Sequence, residues 1–523
     1  MQQNNIQKER VLFLEKGKRG IFEIIFGRTT IIIIMLLTQV LFLISIMIWL
    51  NGAMLYVLGG SIILSAIPVI NIINNESNPV IKLTWIVLIM ALPVFGLLLY
   101  AFINMEFGHR FMMRKYSEIN AKTENYAHPE NAVLPKNIVG NDELKNLVYY
   151  LKSEGFSAYK NTAIKYFPLG EDKLTEMLVR LESAKKFIFI EYFIIEEGYM
   201  WGRILDILER KVKEGVEVRV MYDGTCAINK LPYNYPKKLN HIGIKCKMFA
   251  PIRPFISTHY NNRDHRKIMV IDGKCAFTGG INLADEYISQ KTVHGHWKDT
   301  AVMLEGDAVR SFTLMFLQMW SIVDDDDNYD KYLNETSSVS SKGYVIPYGD
   351  NPLDHSLVGE MVYLDMINTA KKYIHITTPY LILDNEMITA LTFAARRGVD
   401  VVLLMPHIPD NKVIFALGHT YYKQLINNGV KIYEYTPGFI HAKMFVSDDK
   451  KAIVGSVNLD YRSLYHHFEC AAYMYDSPAV AEVENDIMKT LEKSVLINPN
   501  DLKNDSYLTK ATGKLLRLFA PLL

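Results

Sequence analysis

Residues 265–272 read HRKIMVID, and residues 441–448 read HAKMFVSD. Both segments have the form HxKxxxxD, and in both copies six further residues separate the Asp from a second pattern, GxxN. The paired positions are His265, Lys267, Asp272, Gly279 and Asn282 in the first copy, and His441, Lys443, Asp448, Gly455 and Asn458 in the second. Five fixed positions at one spacing, found twice, are not a chance match. The motif therefore predicts both a duplication and a site.

The spacing also predicts which side chains share a face. Because side chains alternate along a strand, the His and the Lys of each motif point to the same side. The Asp lies seven residues after the His and so falls on the opposite side. Asp272 is followed by Gly273, a pair typical of a hairpin turn. We therefore expect Asp272 and Asp448 to have a mainly supporting role, through turn geometry and hydrogen bonds.

Three further pairs of segments recur in the same order, which indicates that a whole domain is duplicated. They are residues 185–194 and 371–382, residues 215–224 and 398–407, and residues 243–249 and 429–435. Helix-like stretches at 201–214 and 385–397 end before Gly215 and Gly398, as helices often do. Short β-branched and aromatic runs alternate with these helices. The pattern predicts two α/β domains, each a mostly parallel or mixed sheet flanked by helices.

A duplicated His and Lys suits the displacement of a phosphodiester. One imidazole can attack phosphorus to form a phosphohistidine, and a second, protonated imidazole can supply a proton to the leaving alkoxide. Cationic and neutral donors must stabilise the phosphoryl oxygens, and the sequence offers Lys267, Lys443, Asn282 and Asn458 for this purpose. The HxK pair is not a recognised metal-ligand pattern, and this chemistry requires no metal.

The N-terminal part has a different composition. Uncharged apolar runs occupy residues 29–50, 53–73 and 83–103, and the first is long enough to cross a bilayer as a helix. We predict two or three transmembrane helices within residues 29–104, after a basic tail at residues 1–28. Basic residues flank both ends of this segment. The positive-inside rule thus favours two crossings, with the catalytic part in the cytoplasm.

Charge and cysteine content disfavour nucleic acid as a partner and disulfide or metal roles for the cysteines. The chain has 57 basic and 56 acidic residues, a net charge of +1, so it lacks the basic excess with which proteins bind nucleic acid. Its four cysteines show no CxxC spacing and stand in apolar runs. We expect them to be reduced core residues.

The two motifs resemble the duplicated HKD motif of the phospholipase D superfamily. Within it the chain is similar to the bacterial cardiolipin synthases, because an apolar leader precedes both copies. The leader positions that carry this likeness are Asn78, Pro79, Lys82, Trp85, Pro93, Gly96 and Tyr100. The resemblance covers nearly the whole chain. It implies one active site at the interface of the two domains, with no cofactor, and a reaction that joins two phosphatidylglycerols into cardiolipin and glycerol.

The resemblance also implies roles for single residues. His265 would be the nucleophile and His441 the general acid, an assignment that could be reversed. Glu469 would orient His441, and Asp299 would orient His265. Ser456 would contact the substrate phosphate. The equivalent position in the first copy is Gly280, so one phosphate contact is in doubt there.

The expected organisation is a connector at residues 105–134 and phospholipase D-like domains at 135–340 and 341–523, the second including a C-terminal tail. An acidic, then Ser-rich segment at 324–341 would join the domains. We expect a multi-pass protein of the bacterial cell membrane whose partners are phosphatidylglycerol and membrane lipid. Two alternatives stay open: a hydrolase in which water resolves the intermediate, and a membrane-bound nuclease. The oligomeric state also stays open.

Overall fold

The structure is a computed structural model that describes residues 28–48, 54–75, 78–104, 107–251, 262–324, 328–334, 339–354, 356–503 and 506–522. All but the last residue of the predicted basic tail, and parts of the predicted segment at 324–341, lie outside the described residues.

The helices fall into an N-terminal group and two catalytic lobes. The N-terminal helices are α1 (Arg28–Ile48), α2 (Met54–Asn74), α3 (Pro79–Ala91), α4 (Pro93–Asn104) and α5 (Phe107–Ala127). Helix α6 (Asp142–Ser153) comes next along the chain but packs in the apolar core of the second lobe. The first lobe contains α7 (Gly170–Glu182), α8 (Tyr199–Lys213), α9 (Cys226–Asn229), α10 (Tyr235–His241), α11 (Val309–Val323) and α12 (Asp330–Leu333). The second contains α13 (Val358–Thr369), α14 (Asn385–Arg396), α15 (Lys412–Ile426), α16 (Tyr461–Tyr465), α17 (Pro478–Leu491) and α18 (Tyr507–Phe519).

The strands form two sheets of the same design. The first-lobe strands are β1 (Thr162–Phe167), β2 (Phe187–Tyr192), β3 (Glu217–Asp223), β4 (Lys245–Phe249), β5 (Arg263–Asp264), β6 (Lys267–Ile271), β7 (Cys275–Gly279) and β8 (Ala301–Gly306). The second-lobe strands are β9 (Tyr344–Asp350), β10 (Tyr373–Thr377), β11 (Asp400–Pro406), β12 (Lys431–Tyr435), β13 (Met444–Ser447), β14 (Lys451–Gly455), β15 (His467–Tyr475) and β16 (Ser494–Leu496).

The strand order confirms the predicted duplication. The first sheet runs β1-β8-β7-β6-β2-β3-β4, and the second repeats this order as β9-β15-β14-β13-β10-β11-β12. In each sheet three neighbouring strands are parallel and the others antiparallel, so both sheets are mixed. Gly215 and Gly398 follow the ends of α8 and α14 with φ values of 88° and 94°, which only glycine adopts without strain. The predicted helix stops are therefore confirmed.

The lobes pack face to face through shared core and backbone contacts. One buried apolar cluster contains side chains from both sheets, including Phe189, Met444 and Phe468, together with Phe316 of helix α11. The short strand β5 leaves its own sheet and pairs in parallel with β15 of the other lobe. These contacts hold the two motifs in a fixed relation. The four cysteines are buried and unpaired, as predicted.

The N-terminal helices pack on one another and on the end of the chain. Trp85, Ile89 and Phe95 lie in a small apolar core that Phe519 of the C-terminal helix α18 contacts. The third apolar run forms two helices, α3 and α4, because Pro93 has no N–H with which to continue the first. Within the described ranges, no helix combines the length and hydropathy needed to cross a membrane. The predicted spans stay a prediction.

Candidate active site

Each motif histidine is anchored by its backbone to the opposite lobe. The backbone N–H of His265 donates to the carbonyl of Phe468, 2.9 Å away, and that of His441 donates to the carbonyl of Lys298 at 2.7 Å. Both imidazoles are buried, with exposed fractions of 6 % and 7 %. The interface between the lobes therefore holds both imidazoles out of bulk water.

The carboxylates that hold the imidazoles cross between the lobes. Nδ1 of His265 lies 2.8 Å and 2.9 Å from the two carboxylate oxygens of Glu469, and Nδ1 of His441 lies 2.6 Å from Oδ2 of Asp299. The sequence-based assignment, which gave each histidine the carboxylate of its own copy, was wrong. Each orienting carboxylate comes from the other copy.

Strand register explains this exchange. In the parallel pair of β5 and β15, Asp264 lies beside Phe468, so the next residue of each strand, His265 and Glu469, are also neighbours. A parallel bridge between Lys298 and Ile440 does the same for the other pair. An imidazole whose Nδ1–H is held by a carboxylate presents Nε2 as its free nitrogen. In both motifs Nε2 is therefore the ring nitrogen that is available to react.

Burial sets the charge of the two imidazoles. It lowers the pKa of His265 to about 3, although the carboxylate of Glu469 acts in the opposite direction. It likewise lowers the pKa of His441 to about 4, with Lys443 adding to the effect. Burial alone would raise the pKa of Glu469, but its contacts with His265 hold that pKa below the ordinary value. Near pH 7 both imidazoles are therefore neutral in the free protein and Glu469 is ionised.

The lysines complete the cationic side of the site. Nζ of Lys267 donates to the carbonyl of His265 at 2.5 Å, and Nζ of Lys443 donates to the carbonyl of His441 and lies 2.9 Å from its Nδ1. Burial lowers the pKa of Lys267 to about 8 and that of Lys443 to about 7. Two ammonium groups in one dry site suit an anionic ligand, because its charge favours their protonated forms.

The motif aspartates lie at the far ends of the motif strands. The carboxylate of Asp272 accepts the backbone N–H groups of Lys185, Lys186 and Phe187 at 2.7–2.9 Å. Asp448 accepts the equivalent three N–H groups of residues 371–373 at 2.7–3.1 Å. Both aspartates have positive φ, 52° and 55°, at the turn that follows the strand. This geometry suits the supporting role that strand parity predicts.

We expect Asp272→Asn to lower the free energy of unfolding by about 2–3 kcal/mol, since three hydrogen bonds to a charged acceptor are weakened. Asn tolerates positive φ, so backbone strain does not contribute. Thermal and denaturant unfolding of the full chain measure the change. Asp449→Asn is the matched control, because Asp449 also has positive φ (57°) and is exposed. Equal stability of the two variants would contradict this role for Asp272.

The Ser456 and Gly280 positions lie beside the orienting carboxylates, and the phosphate contact expected of Ser456 stays a prediction. The hydroxyl of Ser456 donates to Oε2 of Glu469 and is buried, so it is already engaged within the protein. A Cβ on Gly280 would lie 2.1 Å from Oδ1 of Asp299. In one copy a hydroxyl fixes the carboxylate, and in the other the carboxylate fills the space of the side chain. These two positions therefore serve the orienting carboxylates.

Gly280→Ser is expected to lower turnover at least about tenfold, because overpacking of about 1–3 kcal/mol must displace Asp299 from His441. Ser456→Ala should have a smaller effect, of the order of one hydrogen bond. Steady-state rates of both variants, at equal folded fraction, measure the difference. A Gly280→Ser variant with wild-type turnover would show that Asp299 has room to move.

The two motif asparagines are buried and bonded to the loops around their own motifs. The side chain of Asn282 accepts the N–H of Ile194 at 3.1 Å and donates to the Tyr287 hydroxyl at 2.7 Å. Nδ2 of Asn458 donates to the Ser463 hydroxyl at 3.1 Å, and its Oδ1 has no hydrogen-bond partner among the described residues. The substrate contacts expected of both asparagines stay a prediction.

The sequence pattern did not single out His467. Its ring centroid lies 5.4 Å from that of His265, and its Nδ1 lies 3.6 Å from Oε1 of Glu469. Trp297 occupies the equivalent place beside His441, with ring centroids 5.8 Å apart. Both residues stand two positions before an orienting carboxylate, a spacing that the sequence contains. His265, His467 and Glu469 place ligand atoms within 4.8 Å of one another, as a metal ion would need.

Two copies of one mixed α/β fold, each presenting an HxK motif to a shared interface, define a phospholipase D-type protein. A family described as "Cardiolipin synthase, PLD-like domain" matches residues 177–320 and 363–491, and one described as "Phospholipase_D-nuclease N-terminal" matches residues 63–103. The chain belongs to the cardiolipin synthase family of the phospholipase D superfamily.

Full-length relatives support this membership. A cardiolipin synthase of Alkalihalophilus pseudofirmus is 33 % identical over 91 % of this chain and 95 % of its own length. A cardiolipin synthase of Halalkalibacterium halodurans is 32 % identical over 86 % and 90 %. An uncharacterized protein of Streptococcus mutans is 51 % identical over 87 % and 99 %. Each match covers more than four fifths of this chain.

A solved structure shows the same fold. The phosphatidylserine synthase of Haemophilus influenzae superposes with a TM-score of 0.52 at 16 % identity, over 69 % of this chain and 93 % of that one. At this identity the likeness concerns the fold alone. It agrees with two packed lobes of mixed sheet and flanking helices.

Proposed function

We propose that this chain joins two phosphatidylglycerol molecules into cardiolipin and releases glycerol. The observation that carries the proposal is the pair of buried imidazoles at one interface, each held through Nδ1 by a carboxylate of the other lobe. Membership of the cardiolipin synthase family supports a phospholipid substrate of this class. The chain is accordingly a phosphatidyltransferase.

The reaction proceeds in two displacements. Nε2 of His265 attacks the phosphorus of the first phosphatidylglycerol, the bond to the glycerol oxygen breaks, and His441 in its protonated form gives that oxygen a proton. His441, now neutral, removes a proton from a hydroxyl of the second phosphatidylglycerol. The resulting oxygen attacks phosphorus, the P–N bond breaks, and cardiolipin forms. Lys267 and Lys443 stabilise the charge on the non-bridging oxygens throughout.

We infer that residues 29–104 anchor the enzyme in the bacterial cell membrane through two or three spans, with catalytic domains at 135–340 and 341–523. Helices α1 and α2 expose large aliphatic side chains, among them Leu41, Ile48, Ile63 and Ile67 at 65–70 %. A continuous apolar surface of this kind marks contact with lipid or protein. An anchored site meets a bilayer substrate without extracting it from the membrane.

The test is product analysis with head-group- and acyl-labelled phosphatidylglycerol in mixed micelles. Cardiolipin and glycerol in equal amounts support the proposal. Phosphatidic acid as the main product would indicate a hydrolase. Release of label from nucleic acid alone would reject both the synthase and the lipid hydrolase. A parallel assay with a chelator is expected to retain activity, since the displacement needs no metal. If the chelator abolishes activity and added zinc or calcium restores it, the result would instead place a metal at His265, His467 and Glu469.

The pH dependence should differ between free and substrate-bound enzyme. His441 must be protonated to act as an acid, and its pKa is about 4 in the free protein. A bound phosphodiester anion favours the imidazolium and raises that pKa, by about 1–3 units for an opposite charge at close range. The alkaline pKa in the kcat profile should therefore exceed that in the kcat/KM profile. The same alkaline pKa in the kcat and kcat/KM profiles would argue against acid catalysis by His441.

A further inference from the structure

A cavity of about 400 Å³ lies behind the active site, between α5, the end of α6 and α11. Its size is within the range of sites for small ligands. Asn120, Thr123, Ser311 and Gln318 line it with hydroxyl and amide groups, and Arg266 also lines it. The apolar side chains of Phe156, Leu314 and Met315 also line it. The cavity therefore suits a small ligand that carries both polar groups and carbon atoms.

Arg266 is a buried cation with an unused donor. Its side chain is 2 % exposed, and its Nη1 is buried without a hydrogen-bond partner among the described residues. Its Nε donates to the carbonyl of Glu469 at 3.2 Å, and its Nη2 donates to the carbonyl of Asp350 at 3.4 Å. A guanidinium stays charged at all physiological pH values. A buried donor of this kind needs a partner, and an anion in the cavity would provide one.

The cavity is distinct from the site that the motif side chains form. Arg266 stands between His265 and Lys267, and alternation along the strand turns its side chain to the opposite face. None of the residues with a motif role lines the cavity. Arg266 nevertheless holds the backbone of Glu469, whose carboxylate holds His265. A ligand in the cavity would thus contact Arg266, which supports Glu469, without entering the active site.

The surrounding charges narrow the class of ligand. Glu191 and Asp264 lie near the guanidinium, and burial together with their mutual repulsion raises the pKa of both carboxyl groups. The carboxylates of Glu124 and Glu154 also line the cavity. A wholly anionic ligand would meet these two groups. A ligand with one phosphate and a hydroxylated or amino end matches both parts of the lining.

We propose that this cavity binds a small phosphate ester, with the phosphate on Nη1 of Arg266 and the hydroxyl or amino end toward Asn120, Gln318 and Glu124. Glycerol 3-phosphate has this chemistry in soluble form, and the head group of an anionic phospholipid has it in the bilayer. The inference does not depend on the proposed function, because it concerns binding on the other face of the strand.

Hydrogen exchange of the full chain tests the proposal without measuring turnover. Glycerol 3-phosphate, added to protein in zwitterionic lipid nanodiscs, should slow exchange at least threefold in peptides covering 116–127 and 311–318. A second arm replaces the zwitterionic lipid by phosphatidylglycerol and omits the soluble ester. Protection in the first arm assigns a soluble ester, and protection in the second arm assigns a lipid head group. Protection in neither, or only in peptides covering 265–272 and 441–448, overturns the proposal.

A cavity-filling variant locates the ligand. Ala121 lies at the exposed edge of the cavity, so Ala121→Trp should raise the dissociation constant for glycerol 3-phosphate at least tenfold at this site. Ser117→Trp, one helical turn earlier in the same lining, is a second variant if the first folds poorly. Asn125→Trp is the matched control, because Asn125 is exposed on the same helix but does not line the cavity. Equal affinity of all three variants would overturn the proposal.

Discussion

Replacing His265 or His441 by Ala is expected to lower cardiolipin formation by about 10³–10⁴-fold or more, because one loss removes the nucleophile and the other removes the general acid. Initial rates with labelled phosphatidylglycerol measure the effect. The two losses look alike with the natural substrate. A substrate with a better leaving group separates them.

A phosphatidyl ester of p-nitrophenol has a leaving group that departs without a proton. His441→Ala should therefore still release one equivalent of p-nitrophenol per site and retain a phosphatidyl group on the protein, whereas His265→Ala should do neither. Alkaline quenching and peptide mapping should find the adduct on His265, since phosphohistidine is labile to acid. If the phosphatidyl adduct is instead found on His441, and His441→Ala releases no p-nitrophenol, then His441 is the nucleophile and His265 the general acid.

The matched control for both variants is His375→Ala. His375 is buried on β10, and its Nδ1 lies 3.0 Å from a carboxylate oxygen of Glu484, so it forms the same kind of pair away from the interface of the motifs. Its loss should lower stability but leave the rate per folded molecule close to wild type. A comparable fall in rate would show that losing any buried His–carboxylate pair harms the enzyme.

Replacing the carboxylate that each lobe provides to the histidine of the other lobe gives the second large expected effect. Glu469→Gln and Asp299→Asn should each lower turnover by about 10²–10⁴-fold, because an amide can donate to Nδ1 and so favours the wrong tautomer. Glu469→Gln should resemble His265→Ala and lose the p-nitrophenol burst. Asp299→Asn should resemble His441→Ala and keep it. Glu484→Gln, which alters the pair with His375, serves as the matched control.

Double mutants test the pairing itself. Adding Glu469→Gln to His265→Ala should cost little further activity, since residues that act as a unit are strongly non-additive. Adding Glu469→Gln to His441→Ala should instead lower the residual burst. The opposite pattern, with Glu469 coupled to His441, would contradict the observed exchange and restore the assignment within each copy.

Much of the fold follows from local patterns. The recurrence of four segments in one order predicted two copies of one α/β domain, and the sheets have the same strand order. Gly215 and Gly398 predicted where helices end, because a positive φ is available to glycine at little cost. Strand parity predicted that Asp272 lies away from His265. Each of these inferences needs only residues that are close in sequence.

The partners of the imidazoles could not be predicted in this way. His265 and Glu469 are 204 positions apart, and His441 and Asp299 are 142 apart. Within one copy the distance along the chain favours the wrong pairs. The hydroxyl of Ser456 donates to Glu469 within the second lobe, which its place in the motif did not predict. The two His–carboxylate contacts depend instead on how the two lobes are placed against each other.

The sequence by itself determined the duplication, the chemical groups of the site and the face on which each motif side chain lies. Alternation along a strand and the stop at a glycine are properties of the local backbone. Only the tertiary structure decided that each imidazole takes its carboxylate from the other lobe, because that choice depends on the register of β5 against β15. It also decided that Arg266 faces a cavity behind the site, since packing between helices leaves that space.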